Sequence, residues 1–181
     1  MTLSDIVTSL DKDEQSHLAR ILILLHAFDT SKGPSIEGIT KLVKLDFLLR
    51  YPTYFERAMQ ARKVSPKKIR LEEHERKTVE SEMVRYRFGP WDHRYRKFLN
   101  LLAGLGLVNI DTTGNAVLIA LTDKGKERAS QLVGIESFKP LANRAGLLKE
   151  NLDLRSTDIM KFIYKTFPEI ATLEYDETIK P

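Results

Sequence analysis

The sequence predicts a mainly α-helical fold with a small β-hairpin, and three observations lead to this class. Residues 83–88 alternate with the period of two that is typical of a strand, and Gly89 ends the pattern. In residues 91–105 apolar side chains recur at helical spacing instead. Two short apolar runs, 107–110 and 116–121, then flank a turn-forming loop. Helix, two-stranded wing and helix follow one another as in a winged helix-turn-helix, so we predict that class with C-terminal helices added.

Three helices are predicted before this segment. The first begins near Asp13 and runs to Phe28 with a broad apolar face, and residues 1–12 are expected to fray. Ser35 is predicted to cap the second helix. Pro52 ends the second helix, because proline lacks an N–H and disfavours the helical conformation in the residue before it.

The third helix is shorter and leads into a polar stretch. Thr53 is predicted to cap it, and it ends near residue 62. Residues 63–68 read as a polar, proline-containing connection, and residues 71–79 are almost wholly charged. We therefore expect a solvent-exposed linker or helix between the third helix and the central strand.

Polar caps also mark the helices after the hairpin. Thr122 is predicted to cap a helix that begins with Asp123. A second amphipathic helix follows Ser137, and Ser156 or Thr157 is expected to cap the last one.

Pro168 is predicted to end the last helix and to leave an acidic, extended tail at 169–181. The character of the chain changes after residue 134. We therefore predict a winged-helix domain at 1–134 and a C-terminal helical extension with its tail at 135–181.

Composition narrows the class of protein. The 181 residues include no cysteine, which excludes disulfides and thiolate-bound zinc or iron–sulfur clusters. The N-terminus lacks the pattern of a signal peptide, and the longest apolar run, 21–25, is too short to cross a bilayer. We expect a cytoplasmic protein without a membrane partner. Phosphate-binding loops, metalloprotease motifs and nucleophile elbows do not occur in the sequence, so we predict no catalytic residue, no metal and no cofactor.

The net charge of +4 is concentrated locally, as a binding face requires. The basic side chains that cluster within about a fifth of the chain are Arg62, Lys63, Lys67, Lys68, Arg70, Arg76, Lys77, Arg85, Arg87, Arg94, Arg96 and Lys97. The six of this region that we predict to contact duplex DNA or an acidic partner protein are Arg85, Arg87, His93, Arg94, Arg96 and Lys97.

Physical arguments support and oppose the DNA interpretation. Arginine suits phosphate because its planar donors bind two oxygens at once. The predicted wing tip, 111–115, however, carries no Lys or Arg. A further alternative is a salt-linked, solvated face, in which Arg85 and Arg87 pair with Glu80, Glu82 or Asp92.

The two C-terminal helices carry many large apolar side chains, for which two interpretations stay open. They are core contacts of this chain, or they form a docking surface for a partner protein. The residues predicted to form that docking surface are Phe138, Leu141, Leu148, Ile159, Phe162, Ile163 and Phe167.

Three stretches of the sequence resemble a known family. They are KLVKLDFLLRYP at 41–52, RYRFGPWDHRYRKFLNLLAGLGLV at 85–108 and LTDKGKERA at 121–129. They resemble the middle component of bacterial ABC three-component anti-phage systems, of which the Lamassu middle subunit is the best-known member. The resemblance extends over about 40–150 and is most specific around 86–96.

The resemblance implies a non-enzymatic adaptor. In such systems an SMC-like ATPase senses foreign DNA, a separate effector, often a nuclease, does the damage, and the middle component joins the two. The implied partners are therefore the ATPase, the effector nuclease and, as a further contact, double-stranded DNA. The alternative from the residues alone is a dimeric winged-helix regulator of transcription that binds DNA by itself.

Overall fold

The computed structural model describes residues 3–30, 33–76, 83–86 and 89–180, and of residues 3–12 it describes the backbone alone. The chain is mostly helical, with one antiparallel sheet of three strands and another of two, which confirms the mainly α class. The helices are α1 (Leu3–Ala27), α2 (Ile39–Arg50), α3 (Pro52–Ala61), α4 (Pro66–Ile69), α5 (Glu73–Arg76), α6 (Tyr95–Gly104), α7 (Asp123–Gly134), α8 (Lys139–Leu152), α9 (Ser156–Thr166) and α10 (Pro168–Thr172). The strands are β1 (Ile36–Glu37), β2 (Val84–Tyr86), β3 (Gly89–Trp91), β4 (Val108–Asp111) and β5 (Leu118–Leu121).

The three-stranded sheet is built on the hairpin that the sequence predicts at 107–121. Val108 pairs with Leu121 in the antiparallel register of β4 and β5. β1 joins the other side of β5, where Ile36 lies opposite Ile119. The resulting strand order is β1-β5-β4, with a strand from before α2 beside the hairpin.

Thr122 fastens this hairpin to α7, as the sequence predicts. Its hydroxyl accepts a hydrogen bond from the backbone N–H of Gly125 at 3.0 Å and donates one to the carbonyl of Gly106 at 2.7 Å. Gly125 leaves room for the strand, since a Cβ there would lie 1.9 Å from the carbonyl oxygen of Leu107. The cap and the glycine together fix the angle between the hairpin and the helix.

The second helix begins later than predicted. Ser35 does not cap it; its hydroxyl donates to Asp29 at 3.4 Å, and β1 follows. Gly38, at a φ of 93°, is the residue before α2, and its N–H donates to the carbonyl of Val117 at 2.7 Å. Pairing of this segment with the hairpin therefore overrides the local capping preference.

Two other capping predictions are wrong as well. Thr53 lies inside α3, because the helix already begins with Pro52 in its first turn, where a missing N–H costs nothing. The residue before α9 is Arg155, and neither Ser156 nor Thr157 caps it. The hydroxyl of Ser156 instead donates to the carbonyl of Glu37 at 3.4 Å.

Two more stretches differ from the prediction: residues 3–12 are helical, and residues 89–91 form a strand. Residues 3–12 belong to α1, since this stretch has no proline or glycine to interrupt the helix. Residues 89–91, where the predicted strand ends and the predicted helix begins, pair as β3 with β2, and Gly89 accommodates the bend with a φ of 97°. The helix then begins at Tyr95 rather than at Trp91.

The C-terminal tail packs against the protein instead of extending from it. The backbone N–H of Ile179 donates to the carbonyl of Met83 at 2.8 Å, and the Ile179 side chain is fully buried. The hydroxyl of Tyr51 connects the two segments, because it accepts from the N–H of Met83 at 2.8 Å and donates to the carbonyl of Ile179 at 2.9 Å. The prediction of an extended tail was wrong, since it was based on the acidic composition and gave no weight to this one apolar anchor.

One buried cluster includes side chains from both predicted domains. Phe47 and Tyr54 of the first contact Phe167 of the second, at ring-centroid distances of 6.2 and 5.0 Å. The boundary at residue 134 stays a prediction, and the segments on its two sides share a core.

We predict that Tyr51→Phe lowers the free energy of unfolding by about 1–3 kcal/mol, because it leaves a buried N–H and a buried carbonyl without their partner. Tyr54→Phe is the matched control, since the Tyr54 ring is buried and its hydroxyl makes no hydrogen bond within the described residues. Chemical denaturation of both variants measures the difference. Equal loss in the two would show that the bridge between Met83 and Ile179 contributes nothing.

Candidate functional site

The conspicuous polar feature of the structure is an ionic network next to residues 85–97, the stretch with the six predicted contact residues, which we call the corner. Its centre is Asp46 of α2, which is fully buried. Arg50 lies one turn further on the same helix face and donates to Asp46 at 2.8 Å. Arg20 of α1 donates to both carboxylate oxygens, at 2.5 and 3.2 Å, and the hydroxyl of Tyr95 donates to one of them. We call Arg20, Asp46, Arg50, Asp92 and Arg94 the ionic network.

Asp92, between β3 and α6, is its second carboxylate. Arg50 donates to it at 2.7 Å, so one guanidinium joins both acids. Arg94 donates from its backbone N–H at 2.9 Å and from two side-chain nitrogens at 3.1 and 2.9 Å. The network therefore ties α1 and α2 to the corner that leads into α6.

The charges of the network are balanced by one acid from outside it. Asp13 of α1 accepts from Arg94 at 3.0 Å. Three arginines then face three carboxylates. Burial alone would raise the pKa of Asp46 and of Asp92, but the neighbouring arginines and their hydrogen bonds outweigh burial and hold both pKa values well below the usual range.

His17 lies beside the network as a neutral ring. It stacks on Phe98 with ring centroids 4.7 Å apart, and its Nδ1 accepts from Arg20, which places the ring proton on Nε2. Burial, followed by the charges of Arg20, Arg50 and Arg94, lowers the pKa of His17 to about 4. Protonation would add a fourth cation and remove the acceptor that Arg20 uses.

Lys44 is a further buried cation, in addition to Arg20 and Arg50 of the network. It lies on α2 and donates to the carbonyl of Pro90 at 2.7 Å, and its ammonium is 5.9 Å from the centroid of the Trp91 ring. Burial lowers the pKa of Lys44 to about 7. The same helix thus holds β3 as well as Asp92.

Three of the six predicted contact residues lie against acids of the chain itself. Arg94 belongs to the network, and Lys97 donates to Glu14 of α1. His93 lies 3.4 Å from a carboxylate oxygen of Asp176 in the docked tail.

The other three predicted contact residues differ. Arg85 stacks over the ring of Tyr175 at 4.3 Å, and its Nε is buried without a hydrogen-bond partner among the described residues. Arg96 is exposed and makes no ion pair within the described ranges. Arg87 lies outside the described residues. The salt-linked alternative is therefore not met by Arg85, which has no carboxylate partner among the described residues, and Arg87, Glu80 and Glu82 lie outside them. The acids that do lie against this corner are Asp92, Asp13, Glu14 and Asp176, and they contact Arg94, Lys97 and His93.

The predicted docking surface is already covered by the chain. The residues fully or almost fully buried are Leu141, Leu148, Ile159, Ile163 and Phe167, and those partly buried are Phe138 and Phe162. As folded, the C-terminal helices therefore offer these side chains to the core rather than to a partner. The reason is that α8 packs on α1, and α9 packs on α2. The sequence did not reveal that these faces of α1 and α2 would cover the C-terminal helices.

Asp46 and Arg50, the central residues of the network, were not identified from the sequence, although the sequence contains a signal for them. Asp46 and Arg50 lie four residues apart on a largely apolar helix that also carries Lys41 and Lys44, and every residue from 41 to 50 is buried. Charged residues are almost never fully buried unless they are paired, so a charge in such a helix indicates a partner from another element.

The described part of the chain holds no cluster of three His, Asp or Glu side chains suited to a metal ion. Within the same ranges, no helix has the length and apolar character needed to cross a bilayer. No protein-family model matches the chain, and no curated protein or solved structure is significantly similar to it.

We expect Asp46→Asn to lower the free energy of unfolding by about 3–5 kcal/mol, because it leaves Arg20 and Arg50 buried with one carboxylate fewer. Asp158→Asn is the control; it breaks only the exposed pair with Arg155 and should cost less than about 1 kcal/mol. Urea denaturation measures both. A loss below about 1 kcal/mol for Asp46→Asn would contradict the network's structural role.

Stability should also depend on pH through His17. Its pKa is about 4 when folded against an ordinary 6.5, so the unfolded chain takes up the proton first as the pH falls. The free energy of unfolding should therefore decrease by up to about 3 kcal/mol between pH 6.5 and 4, and His17→Gln should remove this decrease. His93→Gln, which removes an exposed histidine, is the control. A wild-type slope that persists in His17→Gln would refute the assignment.

Proposed function

We propose that the protein is a non-enzymatic adaptor subunit of an SMC-like ATPase complex that acts in defence against phages or plasmids. It links the ATPase to an effector nuclease. The observation that carries the proposal is that the polar residues of the stretches that resemble the family bind one another inside the protein. Asp46 and Arg50 come from 41–52, and Asp92 and Arg94 come from 85–108.

The saturation of these groups supports a binding role. Each of the two carboxylates accepts four hydrogen bonds from neighbouring residues. Groups held in this way position helices and strands, while proton transfer or metal ligation needs a group that can reach a ligand. The resemblance is therefore best explained by a shared scaffold whose surfaces bind other proteins.

We further propose that α1, β1, α2, α6, β4 and β5 form a winged helix. The strand before α2 lies beside the hairpin, and the hairpin follows directly on α6. α3, α4, α5, β2 and β3 would then be an insertion between the second and third helices of that core. The six-residue wing tip between β4 and β5 has no Lys or Arg, which favours a protein partner over DNA for the wing itself.

In this proposal the switch lies in the partners. The ATPase rearranges when it binds ATP and DNA, and its rearranged form binds the adaptor with a different affinity. The effector is then released or engaged through the adaptor. The network contributes by holding the helices rigid, so that movement at one surface is transmitted to the other.

Co-expression with the products of the neighbouring reading frames tests the proposal. We expect the chain to elute from size-exclusion chromatography together with an SMC-like ATPase, and to elute separately from an unrelated ATPase used as the control. Elution of the chain by itself, combined with binding to one duplex sequence several kcal/mol more tightly than to random DNA, would favour the transcriptional regulator instead.

A further inference from the structure

A second group of cations, away from the ionic network, remains exposed. It lies at the end of α3 and in α4, and we call it the α3–α4 segment. Its members are Arg62, Lys63, Lys67, Lys68 and Arg70, all of which are exposed. None of them makes an ion pair with the described residues, in contrast to Arg94 and Lys97 at the corner.

The α3–α4 segment carries the whole charge excess of the chain. No acid occurs between residues 62 and 71, and without these five cations the formal net charge would change from +4 to −1. Three acids follow, the exposed Glu73 among them; Glu72 and Glu75 line a different cavity together with Arg144, and Glu75 is paired with that arginine. The positive potential of this segment is therefore largely uncompensated.

The segment is anchored to the core in spite of its charge. Ile69 is buried and fixes the short helix α4 to the core. Lys63 and Arg70 have φ values of 59° and 44°, in a backbone region that residues other than glycine rarely adopt. Such backbone strain persists only where surrounding contacts determine it, and it often accompanies binding sites.

A groove lies beside these cations. It has a volume of about 420 Å³ and separates α4 from α8. Lys67, Lys68 and Arg70 line one side, and Asn143 and Glu150 line the other. Three cations therefore face one acid, and an amide adds a neutral hydrogen-bond donor for an anionic ligand.

The chemistry of the surface favours the backbone of duplex DNA. A protein partner would be anchored by large apolar side chains, and single strands would stack on aromatic ones. The large hydrophobic residues exposed in the described part of the chain, Tyr86, Leu105, Ile135 and Tyr175, all lie outside the α3–α4 segment. Cations alone, spread over adjacent turns, suit the regularly spaced phosphates of a duplex.

We infer that the α3–α4 segment and the groove beside α8 bind the phosphate backbone of double-stranded DNA without reading its sequence. The inference rests on the proposed function only in so far as an SMC-like partner brings DNA to this chain. It places the DNA contact away from residues 85–97, where Arg94 and Lys97 are already paired with Asp13 and Glu14 of α1. The adaptor would then touch DNA with one surface while other surfaces hold its protein partners.

A pair of charge-matched variants tests the inference. Lys67→Glu/Lys68→Glu alters the segment, and Lys161→Glu/Lys165→Glu makes the same charge change on α9, where both lysines are exposed. Binding of the full chain to a fluorescein-labelled random duplex is measured by anisotropy over a series of salt concentrations. We expect the first variant to bind roughly tenfold or more weakly and to reduce the slope of log affinity against log salt by about 2, whereas the second stays near wild type.

The outcomes separate this inference from the proposed function. Equal weakening in both variants, or no duplex binding by the wild type either alone or with the co-eluting ATPase, would overturn the DNA surface while co-elution still supports the adaptor. Displacement of DNA by polyglutamate at equal charge concentration would indicate an acidic protein and would also overturn it. Lys67→Gln/Lys68→Gln removes the two charges without reversing them, and we expect it to reduce the salt slope by a smaller amount. A thermal melt of this variant separates a loss of binding caused by charge from one caused by unfolding.

Discussion

The fold depends on a single buried carboxylate, that of Asp46. Its oxygens receive hydrogen bonds from α1 through Arg20, from its own helix through Arg50 and from α6 through Tyr95. Arg50 then reaches Asp92 beside β3. A buried ion pair is often no more stable than a well-packed apolar substitute, but removing one partner is costly. The network therefore serves chiefly to fix which helices and strands meet, and at which residues.

This constraint explains why the arginine-rich corner is not simply a binding surface for DNA or an acidic partner. Asp92 lies between β3 and α6, so Arg50 and Arg94 are drawn toward it, and Arg94 also reaches Asp13 of α1. In the C-terminal tail, Asp176 lies against His93. Lys44, on the same helix as Asp46, donates a hydrogen bond to the carbonyl of Pro90. Two side chains of α2, Lys44 and Arg50, thus bind the corner, and of its described cations Arg96 is exposed and makes no ion pair. The uncompensated charge lies instead at the end of α3 and in α4.

Local patterns in the sequence predicted a good part of the fold, and long-range contacts account for what they missed. The hairpin at 107–121 and the Thr122 cap depend on neighbouring residues, and both are confirmed. Ser35 failed as a cap because β1 pairs with a strand some eighty residues away. The tail was misjudged because Ile179 and Tyr51 meet across most of the chain. The docking residues of α8 and α9 were equally ambiguous, since helical periodicity shows an apolar face and not what covers it.

The most direct test of the account is the coupling between Arg50 and Asp92, measured by a double-mutant cycle with Arg50→Met and Asp92→Asn in urea denaturation. We predict a coupling free energy of about 2–3 kcal/mol, because each change alone leaves the other group buried with one ion pair fewer. A coupling below about 0.5 kcal/mol would mean that the two residues stabilise the protein independently. The corner would then be free to act as a binding surface, contrary to the role assigned to it.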